Sequence, residues 1–71
     1  MISEAARASG TEWAARSNEQ GVEVDAILAH LREIGFSPMD CIRVIMNISG
    51  SPLAEATRIV HFSRAWPELS A

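Results

Sequence analysis

The apolar residues that follow Gly21 recur at helical spacing. Positions 24, 27, 28, 31 and 34 are Val, Ile or Leu and lie three or four residues apart, while charged residues fall between them. This period places the apolar side chains on one stripe of a helix. Gly35 comes directly after the stripe and suits a left-handed helix end, with Phe36 folding back onto the last turn. The pattern predicts a first helix from about Val22 to Ile34.

The next segment begins with a strongly marked helix start. Ser37 suits the N-cap, Pro38 suits the first helical position, and the Asp40 side chain is placed to reach back to the cap amide. Ser49-Gly50 ends this second predicted helix, which therefore covers about 38–49. Its apolar residues point in nearly every direction around the axis: Met39, Cys41, Ile42, Val44, Ile45, Met46 and Ile48. Two explanations stand for such a helix, a central position in the domain or a face that a partner covers.

A third helix is predicted over about 52–63. Ser51-Pro52 forms its start, and Trp66-Pro67 closes the structure because proline disfavours a helical conformation in the residue before it. Its apolar stripe consists of Leu53, Ala56, Ile59 and Val60, with Phe62 near the end. The sequence thus predicts an all-α fold, a small three-helix bundle over residues 22–71 that contains a helical hairpin of about 38–49 and 52–63. Leu31 and Ile45 are expected in its core.

Residues 1–21 differ in composition from the rest of the chain. They are rich in Ala, Ser, Glu and Arg, and Trp13 is the only large apolar side chain after Ile2. We therefore predict an N-terminal arm and not a part of the core. Ser3 with Glu4, and Thr11 with Glu12, each suit the opening of a short helical turn. Two interpretations of the arm stand side by side, a partly disordered leader and a helix that docks through Trp13.

The charge balance argues against a large nucleic-acid footprint. The chain has nine acidic residues, six arginines, no lysine and a formal net charge of −3, and neutralising phosphates needs clustered positive charge. The apolar stretch around Val44 to Ile48 is far shorter than the ~20 residues of a membrane span. Glu4 lies where a secretory signal would be basic and then apolar. We predict a cytoplasmic protein with no membrane partner, whose single cysteine, Cys41, forms no internal disulfide.

No catalytic motif stands out in the sequence. There is no nucleophile paired with a base, no Gly-rich phosphate loop and no pair of carboxylates on an apolar stretch that forms a cleft. His30, Cys41 and His61 lie one on each predicted helix, but they lack the short paired spacings of zinc sites and have no obvious fourth ligand. We therefore expect no enzyme activity, no metal and no cofactor, and interpret Cys41 as a small buried hydrophobe.

Residues 37–62 resemble the helical hairpin in the C-terminal domain of the bacterial ribosomal stalk protein. The runs CIRVIM and SGSPLAEAT echo that family's V-I-K-x-V-R helix and its T-G-x-x-L-x-E-A-K segment. In that family an exposed face of the hairpin recruits translational GTPases, and Ile42, Arg43 and Met39 correspond to that face here. Met46 stands where the family has an arginine and Thr57 where it has a lysine. The resemblance therefore implies the hairpin geometry without most of the basic ring.

Residues 26–62 are also similar to ubiquitin-associated domains, which are three-helix bundles. The similarity is carried by Ile34-Gly35-Phe36, which corresponds to the Met-Gly-Phe-type loop after that family's first helix. In that family the loop and the end of the third helix bind an apolar patch on a partner. Both resemblances imply a compact helical module that binds protein and does no chemistry.

These observations predict a non-enzymatic protein–protein interaction module, either an adaptor or an inhibitor of the immunity type. Its binding face is predicted where the two resemblances converge, at Gly35, Phe36, Met39, Ile42, Arg43 and Met46. Methionine adapts its shape to a partner, and arginine adds a polar contact beside an apolar centre. Because the second predicted helix offers apolar side chains in nearly every direction, we also expect self-association through it, most simply as a homodimer.

A helix-turn-helix protein that binds DNA is the alternative of a different class. Two helices joined by a short turn that contains glycine also describe that motif, with the third helix as the reader. Its exposed polar positions would be Thr57, Arg58, His61 and Arg64. Acidic residues accompany them, and the net charge disfavours affinity for nucleic acid. The DNA model makes Arg58 and Arg64 essential, whereas the protein-binding model makes Arg43 essential.

Overall fold

The computed structural model describes residues 2–70 and contains four α-helices, α1 (Glu4–Glu19), α2 (Val24–Glu33), α3 (Pro38–Ser49) and α4 (Leu53–His61), followed by a 3-10 turn at Pro67–Leu69. The all-α class is confirmed, and residues 2–70 contain no strand. The predicted three-helix bundle is corrected to four helices, because the segment expected to be an arm forms α1 and packs against α2 and α3. Within the same residues, no helix is long and apolar enough to cross a membrane.

α1 is one continuous helix with a well-formed start. The Ser3 hydroxyl accepts a hydrogen bond from the Ala6 N–H at 3.1 Å, and Glu4 places a negative charge at the positive end of the helix. Thr11 does not open a second turn. Its hydroxyl donates to the Arg7 carbonyl at 2.8 Å, which is the bond of a threonine inside a helix. Glu4 at the start of α1 and Thr11, whose hydroxyl bonds to the backbone of the same helix, are thus both compatible with a single helix.

α1 docks onto the turn between α2 and α3 through a glycine. Gly10 lies so close to Phe36 that a Cβ at position 10 would be 2.6 Å from ring atoms Cε1 and Cζ. Phe36 is 2% exposed and Ala14 is fully buried. Trp13, the residue expected to dock a helical arm, is half-buried, with its ring centroid 4.1 Å from that of His30. The closest approach is therefore made by small residues, with Trp13 at the edge of the contact.

The local signals between α2 and α3 are present as expected. α2 ends in a Schellman motif, in which the Phe36 N–H donates to the Leu31 carbonyl at 2.9 Å and Gly35 has φ +108°. α3 begins with a capping box. The Ser37 hydroxyl accepts from the Asp40 N–H at 3.2 Å, and the Asp40 carboxylate accepts from the Ser37 N–H at 3.1 Å. These motifs fix the turn on which α1 rests.

α3 occupies the central position in the bundle. It contacts α1, α2 and α4, so the chain itself covers most of the apolar circumference of this helix. Leu31 is fully buried and Ile45 is 1% exposed, as predicted. The core consists of Ala14, Ile27, Leu28, Leu31, Phe36, Cys41, Val44, Ile45, Ala56, Val60 and Trp66. Every helix therefore contributes to one core.

α4 departs from the prediction at both ends. It begins at Leu53, one residue later than predicted, and no side chain caps its N-terminus. Ala56 and Val60 are buried as the apolar stripe predicts, but Leu53 is 58% exposed and Phe62 is 67% exposed. Ala56 and Val60 pack into the core, whereas Leu53 at the start of this nine-residue helix and Phe62 just after its end do not. The ends of its stripe are left on the surface.

One arginine of α2 holds the C-terminal segment against the core. The Arg32 guanidinium donates to the Ala65 carbonyl at 2.7 Å and to the Glu68 carboxylate at 2.9 and 2.6 Å, and its Cζ lies 4.3 Å from the Trp66 ring centroid. Trp66 is 7% exposed and packs in the same core as the fully buried Cys41, and its indole N–H is buried with no hydrogen-bond partner among residues 2–70. The C-terminal segment therefore covers Cys41, and Arg32 holds this segment in place.

Gly10→Ala should destabilise the protein even though alanine favours a helix by about 1 kcal/mol over glycine. The new methyl group would overlap the ring of Phe36, which is held in the core, and overpacking of this kind costs about 1–3 kcal/mol. We expect a net loss of about 1 kcal/mol in the free energy of unfolding, measured by urea denaturation. Ser9→Ala, on the exposed side of the same turn, should instead be neutral or stabilising. A Gly10→Ala protein as stable as the parent would contradict this account of the docking.

Arg32→Ala should expose Cys41 without unfolding the bundle. The substitution removes the hydrogen bonds to the Ala65 carbonyl and the Glu68 carboxylate and the contact with the Trp66 ring, so the closed segment should open more often. The rate at which a thiol reagent modifies Cys41 under native conditions should rise severalfold. Arg16→Ala is the control, since Arg16 forms only an exposed pair with Glu12 at 3.8 Å. Equal thiol rates in the two variants would mean that Arg32 does not close the segment.

Candidate functional site: the Met39 groove

A groove opens where the start of α1, the α2–α3 turn and the first turns of α3 meet. Its volume is about 460 Å³, and it is lined by Ile2, Arg7, Gly35, Ser37, Met39, Asp40 and Arg43. Met39 is 57% exposed and is the most exposed large apolar side chain in it. We call it the Met39 groove. The docked α1 supplies one side, and the helix start of α3 supplies the other.

The N-terminal side of the groove rests on a glycine. A Cβ at Gly35 would come within 2.5 Å of Cγ2 of Ile2, so Ile2 occupies the space that a side chain would need. Gly35 also has φ +108°, a conformation that L side chains rarely adopt. Position 35 thus requires glycine both for the Schellman motif and for the contact with Ile2, which precedes α1. The groove is a consequence of these two requirements.

The acidic group of the groove, Asp40, already has its partners within the chain. Its Oδ2 accepts from the Ser37 N–H at 3.1 Å and from the Ser37 hydroxyl at 2.9 Å, and its Oδ1 lies 3.4 Å from Nε of Arg7. The Ser37 N–H is the main cause that lowers the pKa of Asp40, and the charges of Arg7 and Arg43 act in the same direction against burial. The carboxylate is therefore ionised at neutral pH and directed inward.

The two arginines of the groove keep free hydrogen-bond donors. Nε of Arg7 is buried and, although 3.4 Å from Asp40, has no acceptor with hydrogen-bond geometry in residues 2–70. Arg43 is exposed and forms no ion pair with any described residue. Most other arginines are tied to carboxylates: the pairs are Arg16–Glu12, Arg32–Glu68 and Arg64–Asp25. Arg43 is therefore an uncompensated positive charge at this groove, whereas Arg7 lies close to Asp40.

The six predicted binding residues are divided between the groove and the core. Gly35, Met39 and Arg43 line the groove. Ile42 and Met46 are half-buried on α3 and pack against the core. Phe36 is 2% exposed beneath α1, so its side chain supports the turn and does not line the groove. The structure therefore brings three of the six together on one open surface.

Sequence reasoning missed Ile2 and Arg7, the two groove residues that come from the N-terminal segment. No local signal places them there, because their partners lie more than thirty residues away in the chain. Asp40 was identified as a capping residue but not as a groove residue. The only available signal was the capping box itself, which puts Ser37 and Asp40 beside Met39 at the start of α3.

A second, smaller groove of about 300 Å³ lies between α1 and α2, lined by Ala6, Ser9, Gly10, Trp13, His30 and Ile34. The rings of Trp13 and His30 face each other at a 37° inclination, and Ile34 is 41% exposed. No arginine or carboxylate lines it. This groove offers apolar contact but no charge that would select a ligand.

The structure does not bring the three candidate metal ligands together. Among residues 2–70, no three His, Cys, Asp or Glu side chains are close enough to hold an ion. Burial raises the pKa of the Cys41 thiol to about 11, and the neighbouring Trp66 indole only partly opposes this. The thiol is therefore protonated at neutral pH and is a poor nucleophile.

The polar groups of α4 are less free than the DNA model requires. The Thr57 hydroxyl donates to the Leu53 carbonyl at 2.7 Å, inside its own helix. Nε of Arg64 lies 3.1 Å from Oδ2 of Asp25, so its charge is compensated. Arg58 is exposed and has no ion pair with any residue from 2 to 70. α4 thus presents one uncompensated arginine.

Comparison with protein-family models, with curated proteins and with solved structures gives no match for this chain. The resemblances to the ribosomal stalk hairpin and to ubiquitin-associated domains therefore rest on their sequence motifs alone. Function has to be argued from the geometry and charge of the Met39 groove.

Acid should destabilise the fold through its hydrogen-bonded carboxylates. The pKa of Asp25 is lowered chiefly by the Ser63 hydroxyl, and that of Asp40 chiefly by the Ser37 N–H. A carboxylate with a lowered pKa stabilises the folded state fully above its unfolded pKa of about 4, and this contribution is lost as pH falls through the folded pKa. We expect the free energy of unfolding in urea to fall as pH drops from about 5 to 2.

The variant Asp40→Asn should reduce this dependence, because its side chain no longer loses a charge in acid. The slope of unfolding free energy against pH should be shallower than in the parent. Glu33→Gln is the matched control, since Glu33 is exposed and forms no ion pair with a described residue. If both variants followed the parent curve, Asp40 would not contribute to acid sensitivity.

Proposed function

We propose that this chain is a small helical protein-binding module and that the Met39 groove is its contact surface. The observation that carries the proposal is the exposure of Met39, 57%, beside an arginine that has no ion pair within residues 2–70. Exposed methionine adapts to a partner surface, and arginine is enriched at interfaces. An apolar centre with a polar rim is the common arrangement of a protein-binding patch.

Two further observations support the proposal. The residues that form the groove lie on α1 and α3 and on a turn held by two capping motifs, so the surface is preorganised. The two families that the hairpin resembles also bind proteins through the corresponding region. An adaptor and an inhibitor of the immunity type are the two forms that such a module takes, and the proposal includes a cytoplasmic location.

Self-association is part of the same proposal in a narrower form. Because α3 is covered on most sides by α1, α2 and α4, a dimer would use the part of α3 that stays accessible, near Met39, Ile42 and Met46. Sedimentation of the parent protein measures this self-association directly.

Binding to DNA through α4 is the competing function, and its contacts would depend on Arg58.

Arg43→Glu should remove partner binding and leave the fold intact, because an exposed charge change alters stability by no more than ~0.5 kcal/mol. The tagged parent and variant are used to capture proteins from cells of the native host, and captured proteins are identified by mass spectrometry. Arg58→Glu is the matched control, because Arg58 is an exposed arginine on α4 that has no ion pair within residues 2–70. Thermal melting of all three proteins checks the fold.

Captured proteins that depend on Arg43 and not on Arg58 would support the proposal. Binding that is lost only in Arg58→Glu, with recovery of nucleic acid, would favour the DNA function instead. Identical capture by the parent and Arg43→Glu would exclude the Met39 groove as the contact surface.

A further inference from the structure

We propose that the occupant of the Met39 groove is an acidic segment of a partner protein, in which carboxylates alternate with large apolar side chains. This inference rests on the proposed function and names the chemistry of the partner. It joins two properties of the groove, an exposed apolar centre and positive charge that the chain does not neutralise.

The charge of the groove is opposite to that of the whole protein. Two guanidinium groups and one carboxylate line it, whereas the chain has a formal net charge of −3. The side chain of Asp40 is only 13% exposed and that of Arg7 is 42% exposed. Because the carboxylate is directed towards Ser37, a partner approaching the groove meets the arginines first. Carboxylates are therefore favoured there and basic groups are disfavoured.

Arg43 also has unused hydrogen-bonding capacity, whereas Arg7 is already paired with Asp40 and its Nε is buried out of a partner's reach. The Arg43 guanidinium has donors in a planar fork that matches a carboxylate. A partner carboxylate at the groove would compensate the charge of Arg43, which no acid in residues 2–70 does.

The apolar part of the groove defines the second requirement. Met39 and Ile2 line it beside Gly35, which has no side chain, and the volume of about 460 Å³ is within the range of ligand sites. An apolar side chain of the partner would cover the exposed surface of Met39. Polyphosphates and nucleic acids lack such a side chain, and one net positive charge is too little for a phosphate backbone. An acidic and apolar protein segment satisfies both requirements.

The test uses the intact chain labelled with ¹⁵N and an eight-residue synthetic peptide of alternating glutamate and leucine. We expect the amide signals of Gly35, Met39, Asp40 and Arg43 to shift on titration, with a dissociation constant of about 1 mM or below. A peptide with glutamine in place of glutamate should have a dissociation constant at least about fivefold higher. A peptide with lysine in place of glutamate should not bind. Arg43→Gln should weaken binding of the glutamate peptide by a similar factor, whereas Arg58→Gln should leave it unchanged.

Several outcomes would overturn the inference. Equal binding of the glutamate and glutamine peptides, preference for the lysine peptide, or shifts located in the groove between α1 and α2 would each do so. If inorganic phosphate caused the same shifts of the amide signals, the groove would be a site for anions in general and not for an acidic protein segment. If the parent sediments as a dimer and Arg43→Gln as a monomer, the occupant is a second copy of this chain.

Failure of this inference can be told apart from failure of the proposed function. Capture of a host protein could depend on Arg43 while the glutamine peptide binds as well as the glutamate peptide. In that case the proposed protein-binding function holds, but the partner is not selected by its charge. If capture does not depend on Arg43, the groove is not the contact surface. The dispersion of the amide signals shows in every variant whether the protein is folded.

Discussion

The close approach of α1 to the turn between α2 and α3 is the contact on which the rest of this structure depends. Gly10 lies directly on the ring of Phe36, and Ile2 lies on Gly35, so neither glycine leaves room for a side chain. A helix with a larger residue at position 10 would be held away from the turn and would leave Phe36 uncovered. The tight contact lets a short chain enclose the central α3 on three sides, with α1, α2 and α4. In a domain of this size without an internal disulfide, close packing of this kind contributes much of the stability.

The same contact creates the candidate site. The Met39 groove forms where Ile2, which precedes α1, and Arg7 in α1 lie next to the capping box that begins α3. Asp40 therefore has two roles, as a capping residue of α3 and as the internal partner of Arg7. Arg43, one turn further along α3, remains unpaired within residues 2–70 while three other arginines are engaged by Glu12, Glu68 and Asp25. An acidic protein thus carries a locally cationic and apolar surface.

The candidate site was only partly predictable. Met39 and Arg43 were placed on this surface because the two family resemblances converge there, and the Ser37 capping signal, which is local, fixes the start of the helix that carries them. Phe36 was assigned to the same surface, but its side chain lies in the core, since nothing in the sequence near Gly35 indicates that α1 covers it. Leu53 and Phe62 show the converse, because their apolar stripe suggests burial whereas the ends of α4 remain exposed. Periodicity shows which residues share a face, but the covered length of that face depends on the neighbouring helix.

The sequence by itself determined the three helices after Gly21 and the turn between α2 and α3. Helix caps, prolines and glycines specify these features because they act on residues close to them in the chain. The sequence also determined that Leu31 and Ile45 are buried, since both lie on strongly apolar faces. The tertiary structure alone decided that residues 4–19 form one helix packed on the bundle, that α3 lies at the centre, and that Arg7 meets Asp40. These outcomes depend on the fit between side chains far apart in the chain, such as Gly10 against Phe36, and a fit of that kind leaves no periodic or local pattern in the sequence.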